Sequence, residues 1–191
     1  MKRTYDELTD EALVELCNRG GANDAAHAFE ALYSRHRDYV LRVAMRFVRD
    51  RDLAYDALQE TFAYLLRKFP PQGAGLVLTA RLQTLLYPVA KHCAISALRK
   101  AGRGADHGTD DALDDLPAET AEGPDPRVID AALAGLSPER REVLTLRFVD
   151  DLSLAEIAVA LDVPLGTVKS RLHLALKQLR ENPVIKGLFD P

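Results

Sequence analysis

A chain of 191 residues, 47% hydrophobic and 28% charged, has the make-up of an ordinary soluble protein of one or two domains. No apolar run is long enough to span a bilayer, and Met1 to Asp10 is too polar for a signal peptide, so a cytoplasmic location without membrane insertion is expected. Cys17 and Cys93 are far apart and outside any CxxC, and His92-Cys93 has no second pair at metal-ligand spacing, which points to reduced, buried thiols rather than a disulfide or a metal site.

In chain order, Leu8 to Cys17 has the spacing of a short amphipathic helix, and Asn18 to Asn23 reads as a turn. Ala25 to about Val48 predicts one or two helices, with Phe29, Leu32, Tyr33, Tyr39, Val40, Val43 and Phe47 as core candidates. The many arginines here, from Arg35 to Arg51, fit a solvated face. Asp52 to Phe69 predicts another helix. Leu53, Ala57, Phe62, Leu65, Leu66 and Phe69 can pack inward, while Asp56, Gln59 and Glu60 form an acidic-polar patch on another face. Pro70 to Gly75 reads as a loop and Leu76 to Lys100 as largely helical. Pro88 would remove a backbone bond from that helix and kink it, at a cost of about 3 kcal/mol, unless a new helix starts there.

Residues 101–126 hold eight acidic side chains against Arg103 alone, a charge of −7, which leaves the remainder of a chain of net −4 at +3. Glycine and proline are frequent there and little can be buried, so the stretch reads as a flexible acidic linker between two domains.

After the linker, Ser137-Pro138 offers an N-cap followed by proline at the first helical position. Ser153-Leu154-Ala155-Glu156 has the form of a capping box, with Leu152 and Ile157 at the staple positions. That helix is expected to end near Leu161, with Asp162-Val163-Pro164 as a turn. The last helix runs from about Leu165 to Glu181. Val168, Leu172, Ala175 and Leu179 form one stripe for the core, while Lys169, Ser170, His173, Leu174 and Lys177 fall opposite. Such a helix spans roughly 25 Å and suits a major groove. Lys169 and Arg171 can neutralise phosphates or donate to guanine, and Ser170 can bond to either. A helix-turn-helix or a plain three-helix bundle with a solvated face both fit the residues.

Leu136 to Val143 and Gly166-Thr167-Val168-Lys169-Ser170-Arg171-Leu172-His173 resemble region 4 of extracytoplasmic-function (ECF) sigma factors of the sigma-70 family. Residues 29–47 and 52–69 resemble region 2 of the same family, and Leu82 to His92 matches it in spacing. The resemblance covers about Leu8 to Asn182. Departures are Leu85 where tryptophan is usual, His92 where asparagine is usual, Leu174 and Leu176 where arginine is frequent, and Pro164 in place of a serine cap.

The resemblance implies an all-α fold of two small helical domains: 1–100 (region 2), the linker 101–126, 127–182 (region 4 helix-turn-helix) and a tail 183–191. It implies a sigma factor that directs transcription initiation, not an enzyme, with no cofactor and no metal. Core RNA polymerase would be bound at its β′ clamp helices and β flap, with Asp56, Gln59, Glu60 and Phe62 touching the polymerase. At the −10 element of promoter DNA the implied residues are Gln83, Tyr87, Lys91, His92, Arg99 and Lys100; at the −35 element they are Thr167, Lys169, Ser170, Arg171, His173 and Lys177. An anti-sigma factor is a further implied partner. Two other readings stay open: a sigma-like protein that titrates an anti-sigma factor, and a dimeric helix-turn-helix regulator.

Overall fold

The computed structural model describes residues 5–102 and 133–182. Most of the expected linker, residues 127–132 and the tail 183–191 lie outside the described residues. The chain divides into two units, Met1–Asp106 and His107–Pro191. Among the described residues the regular structure is helical throughout.

The first unit opens with a single 3-10 turn, Tyr5–Glu7, followed by α1 (Asp10–Arg19), α2 (Ala22–Met45), α3 (Arg51–Leu66) and α4 (Leu82–Lys100). Thr9 caps α1 by accepting from the Ala12 amide at 3.3 Å. Asp50 caps α3, accepting from Asp52 and Leu53. The stretch expected from Ala25 belongs to one helix of 24 residues, Ala22–Met45, because its apolar stripe never shifts phase; with α1 running to Arg19, the turn expected over Asn18 to Asn23 shrinks to Gly20-Gly21. Leu32, Val40, Val43, Leu65, Leu82 and Leu86 are fully or almost fully buried and fill the core where α2, α3 and α4 meet, while Leu13 is buried on α1, which packs on α2. Leu66 does not join them. It is 48% exposed, since one position past buried Leu65 turns a side chain by about 100°.

Two expectations about α4 are corrected. The helix starts at Leu82, so Leu76 to Arg81 belongs to the preceding loop. No new helix begins at Pro88: α4 runs through it, and the Thr84 carbonyl four residues earlier loses its usual donor. Burial of Leu82, Leu86, Ala90 and Ala94 against α2 and α3 holds the helix together across that gap.

A polar bolt joins α1 to α2. Asp10 Oδ1 accepts from Arg35 Nη1 at 2.7 Å, and Asp10 Oδ2 lies 2.8 Å from Nε2 of the buried His36. Arg35 also donates to the carbonyls of Asp6 and Leu8. Burial alone would raise the Asp10 pKa, but the hydrogen bonds and charges of His36 and Arg35 outweigh it and hold it below 3.8. A depressed carboxylate stabilises the fold above its unfolded pKa, and that contribution fades as pH falls through the folded value. Asp10→Ala is therefore expected to cost on the order of 1–3 kcal/mol at pH 7, because it strands a buried imidazole. Urea melts should show the gap from wild type narrowing below about pH 4; a gap that widens in acid contradicts this account.

Cys17 is buried with its Sγ 3.7 Å from the Ala25 carbonyl oxygen, and Cys93 is half-buried. Burial raises Cys17 to about 11, and burial likewise raises Cys93.

The second unit holds α5 (Pro138–Phe148), α6 (Leu154–Leu161) and α7 (Leu165–Glu181). Ser137 has N-cap backbone geometry with Pro138 behind it, but its side chain makes no capping hydrogen bond. Arg140 instead donates to Gln178 at 3.0 Å, and Gln178 donates to the Gly135 carbonyl at 2.7 Å, tying α7 to the approach of α5. Leu146, Leu152, Ile157, Val168 and Ala175 are fully buried.

Candidate nucleic-acid interface

The geometry of the second unit begins at Ser153. Its hydroxyl accepts from the Glu156 amide at 3.2 Å, and Glu156 Oε2 accepts from the Ser153 amide at 2.8 Å, which closes the capping box. Leu152 and Ile157 are both buried beside it, as a hydrophobic staple requires. After eight helical residues α6 ends on Asp162, held in the left-handed conformation at φ 52, ψ 49, where its amide reaches the carbonyls of Ala158 and Val159. Val163 and Pro164 complete the turn, and Leu165 starts α7.

On α7 the expected stripe is inward: Val168 and Ala175 are fully buried, and Leu172 and Leu179 pack against the cluster of Leu136, Leu144 and Ala175. Lys169, Ser170, His173 and Lys177 are exposed and fall within about 100° of arc. Lys177 reaches Glu181 at 4.0 Å, a surface pair that a phosphate would readily displace. Thr167 and Arg171 do not join that face. They share a half-buried flank one turn apart, and Arg171 is near enough to the exposed Glu139 of α5 to contribute to lowering its pKa, behind the larger effects of the Glu139 backbone amide and Ser137. Leu174 is 39% exposed beside the basic residues.

The six residues expected at a −10 element are not brought together. Tyr87 is 2% exposed, so its ring is core and cannot stack on a base; this corrects the expectation. Gln83 and Lys91 are half-buried, with the Lys91 ammonium 5.5 Å above the Phe47 ring. His92 and Arg99 are exposed on the side of α4 about 180° from Gln83, and Lys100 is exposed at the helix end. The apolar stretch before α4 is split: Leu76 and Leu78 are half-buried, while Val77 is 82% exposed.

On α3, Asp56, Gln59 and Glu60 are exposed and occupy one face at spacings of three and four. Phe62 is corrected. It is 4% exposed, with its ring 4.7 Å from that of Tyr33 and edge-on to Phe29 at 6.3 Å, so it supports the patch from beneath. The apolar residues that do flank the patch are Tyr55 and Leu66, 43% and 48% exposed. Their position about 100° from the buried stripe was available from the spacing.

A capped helix, a left-handed turn and a second helix with a basic outer face define a helix-turn-helix unit, here with a separate helical unit before it. The family model of sigma-70 region 2 matches residues 32–104, and that of sigma-70 region 4 matches residues 127–179. The chain is 36% identical over 169 residues to the ECF RNA polymerase sigma factor SigL of Mycobacterium tuberculosis, covering 84% of this chain and 92% of that one. It is 30% identical over 186 residues to the ECF RNA polymerase sigma factor SigE of Mycolicibacterium smegmatis, covering 92% and 68%. Among solved structures, RpoE in complex with the anti-sigma factor NepR from Bartonella quintana aligns with a TM-score of 0.58 at 22% identity, over 83% of this chain and 96% of that one. CnrH in complex with the cytosolic domain of CnrY gives 0.60 at 18% identity, over 90% and 95%. At these identities the structures speak for the fold alone. This chain belongs to the extracytoplasmic-function sigma factors of the sigma-70 family, which direct RNA polymerase in transcription initiation.

Proposed function

We propose that the two units divide the work of a sigma factor: the first docks on core RNA polymerase and opens the −10 element, and the second grips the −35 element. The observation that carries this reading is the sidedness of α7, where Val168 and Ala175 are buried while Lys169, Ser170, His173 and Lys177 share an open face straight after the turn. Ser170 and the two lysines supply donors for phosphates and base edges. Polymerase contact falls to Asp56, Gln59 and Glu60, flanked by Tyr55 and Leu66, which together make an acidic patch with an apolar rim suited to a protein partner. At the −10 element, His92, Arg99 and Lys100 meet the backbone, and the loop before α4 meets the opened strand. Acting where polymerase and chromosome are, the protein is cytoplasmic and binds rather than catalyses. An anti-sigma factor, such as the one bound to the structurally similar RpoE, is the expected regulator.

Run-off transcription with core polymerase tests the reading. A transcript that depends on this chain is expected; none would leave a protein that titrates a sigma regulator or a dimeric helix-turn-helix regulator. The double reversal Asp56→Arg with Glu60→Arg is expected to lower transcription at least about tenfold and to weaken competition for core polymerase, because it places two positive charges where the partner accepts negative ones. Unchanged competition would remove α3 from the interface.

A further inference from the structure

We infer that Asn18, at the end of α1, is a positioning residue for recognition of the opened −10 strand; this rests on the proposed role of the loop before α4. Asn18 lies 58 residues from its partner. Its Nδ2 donates to the Leu76 carbonyl at 2.7 Å, and its Oδ1 accepts from the Leu76 amide at 2.8 Å. One side-chain amide thus satisfies both backbone groups of one loop residue, as a neighbouring strand would.

The loop on either side is built to meet that clamp. The Gly73 amide donates to the Phe69 carbonyl at 2.9 Å and the Gly75 amide to the Lys68 carbonyl at 3.0 Å, folding the segment back on the end of α3. A Cβ at Gly73 would stand 2.2 Å from the Lys68 carbonyl oxygen. Gly75 has φ +99, and a Cβ there would lie 3.0 Å from Asn18 Oδ1. Glycine is therefore needed both for the backbone conformation and for the approach of the clamp. The next side chain after the clamped Leu76 is Val77, which is 82% exposed.

Connecting segments of this length ordinarily stay mobile, and ordering one on binding costs affinity. Asn18 removes that cost in advance. It holds the loop in one conformation and presents Val77 outward before any nucleic acid arrives. A merely structural amide would act on the stability of the fold; this one acts on the affinity for single-stranded DNA.

The test uses holoenzyme assembled with core polymerase and a labelled single-stranded non-template oligonucleotide spanning the −10 element of a promoter mapped by its transcription start. Asn18→Ala is expected to weaken binding about 5- to 20-fold, through a loop that must now be ordered on binding. Core-polymerase binding should stay unchanged, and the Leu76 amide should exchange with solvent faster. Gly75→Ala should do the same from the other side of the contact. Wild-type affinity in Asn18→Ala, with the Leu76 amide freed or not, overturns the inference. If the wild-type holoenzyme itself does not prefer the −10 strand, the parent reading of the loop fails, and the positioning role fails with it.

Discussion

Val168→Asp is expected to abolish binding to a −35 duplex while leaving the first unit folded. Val168 is fully buried on α7, which packs against both α5 and α6. An ionised carboxylate there has no partner, and such a group costs several kcal/mol even after the surroundings relax. The described part of the second unit, residues 133–182, has a total stability on the order of 3–8 kcal/mol at ordinary values per residue. One substitution can therefore consume all of it. Fluorescence anisotropy on a −35 duplex and urea melts of the full chain should show DNA binding and the second unit's transition lost together. Val168→Thr, which buries only a hydroxyl, should cost about 1–3 kcal/mol and keep part of the binding. Near-wild-type affinity in Val168→Asp would mean that α7 does not pack by this stripe.

Lys169→Ala is expected to weaken the −35 duplex by about 1–3 kcal/mol, roughly 5- to 150-fold, and to relax preference at one base position. Lys169 is exposed in the first turns of α7, the part of a recognition helix that reaches base edges. Lys177, two turns further on, should behave differently. Its removal should weaken all sequences alike and lower the dependence of log K on log salt by about one. Arg171→Ala should have the smaller effect on DNA, since Arg171 lies on a half-buried flank off the exposed basic face. Equal loss at Lys169 and Lys177 across specific and random duplexes would show that neither reads a base.

What the sequence told in advance was mostly local. The cap at Ser153, the proline after Ser137 and the buried stripe of α7 each depend on neighbours within a few positions, so spacing reveals them. The spacing puts Phe62 inward while the resemblance puts it at the polymerase, and the resemblance puts Tyr87 at the opened DNA. Both carry large rings near polar residues on their helices, and spacing alone does not say which helix lies against them; the rings of Tyr33 and Phe29 decide it for Phe62. The Asp10–His36 bolt and the Asn18 clamp span 26 and 58 residues, and no local pattern announces them. Arg171 shows a third kind of difficulty. Its basic side chain fits a DNA role by type, but its angle on α7 turns it toward α5.

The burial of the two thiols reaches beyond packing. Peroxide attacks the thiolate, and a thiol whose ionisation is suppressed at neutral pH reacts slowly with it. With burial raising Cys17 to about 11 and shifting Cys93 the same way, both thiols are expected to react slowly with peroxide at neutral pH.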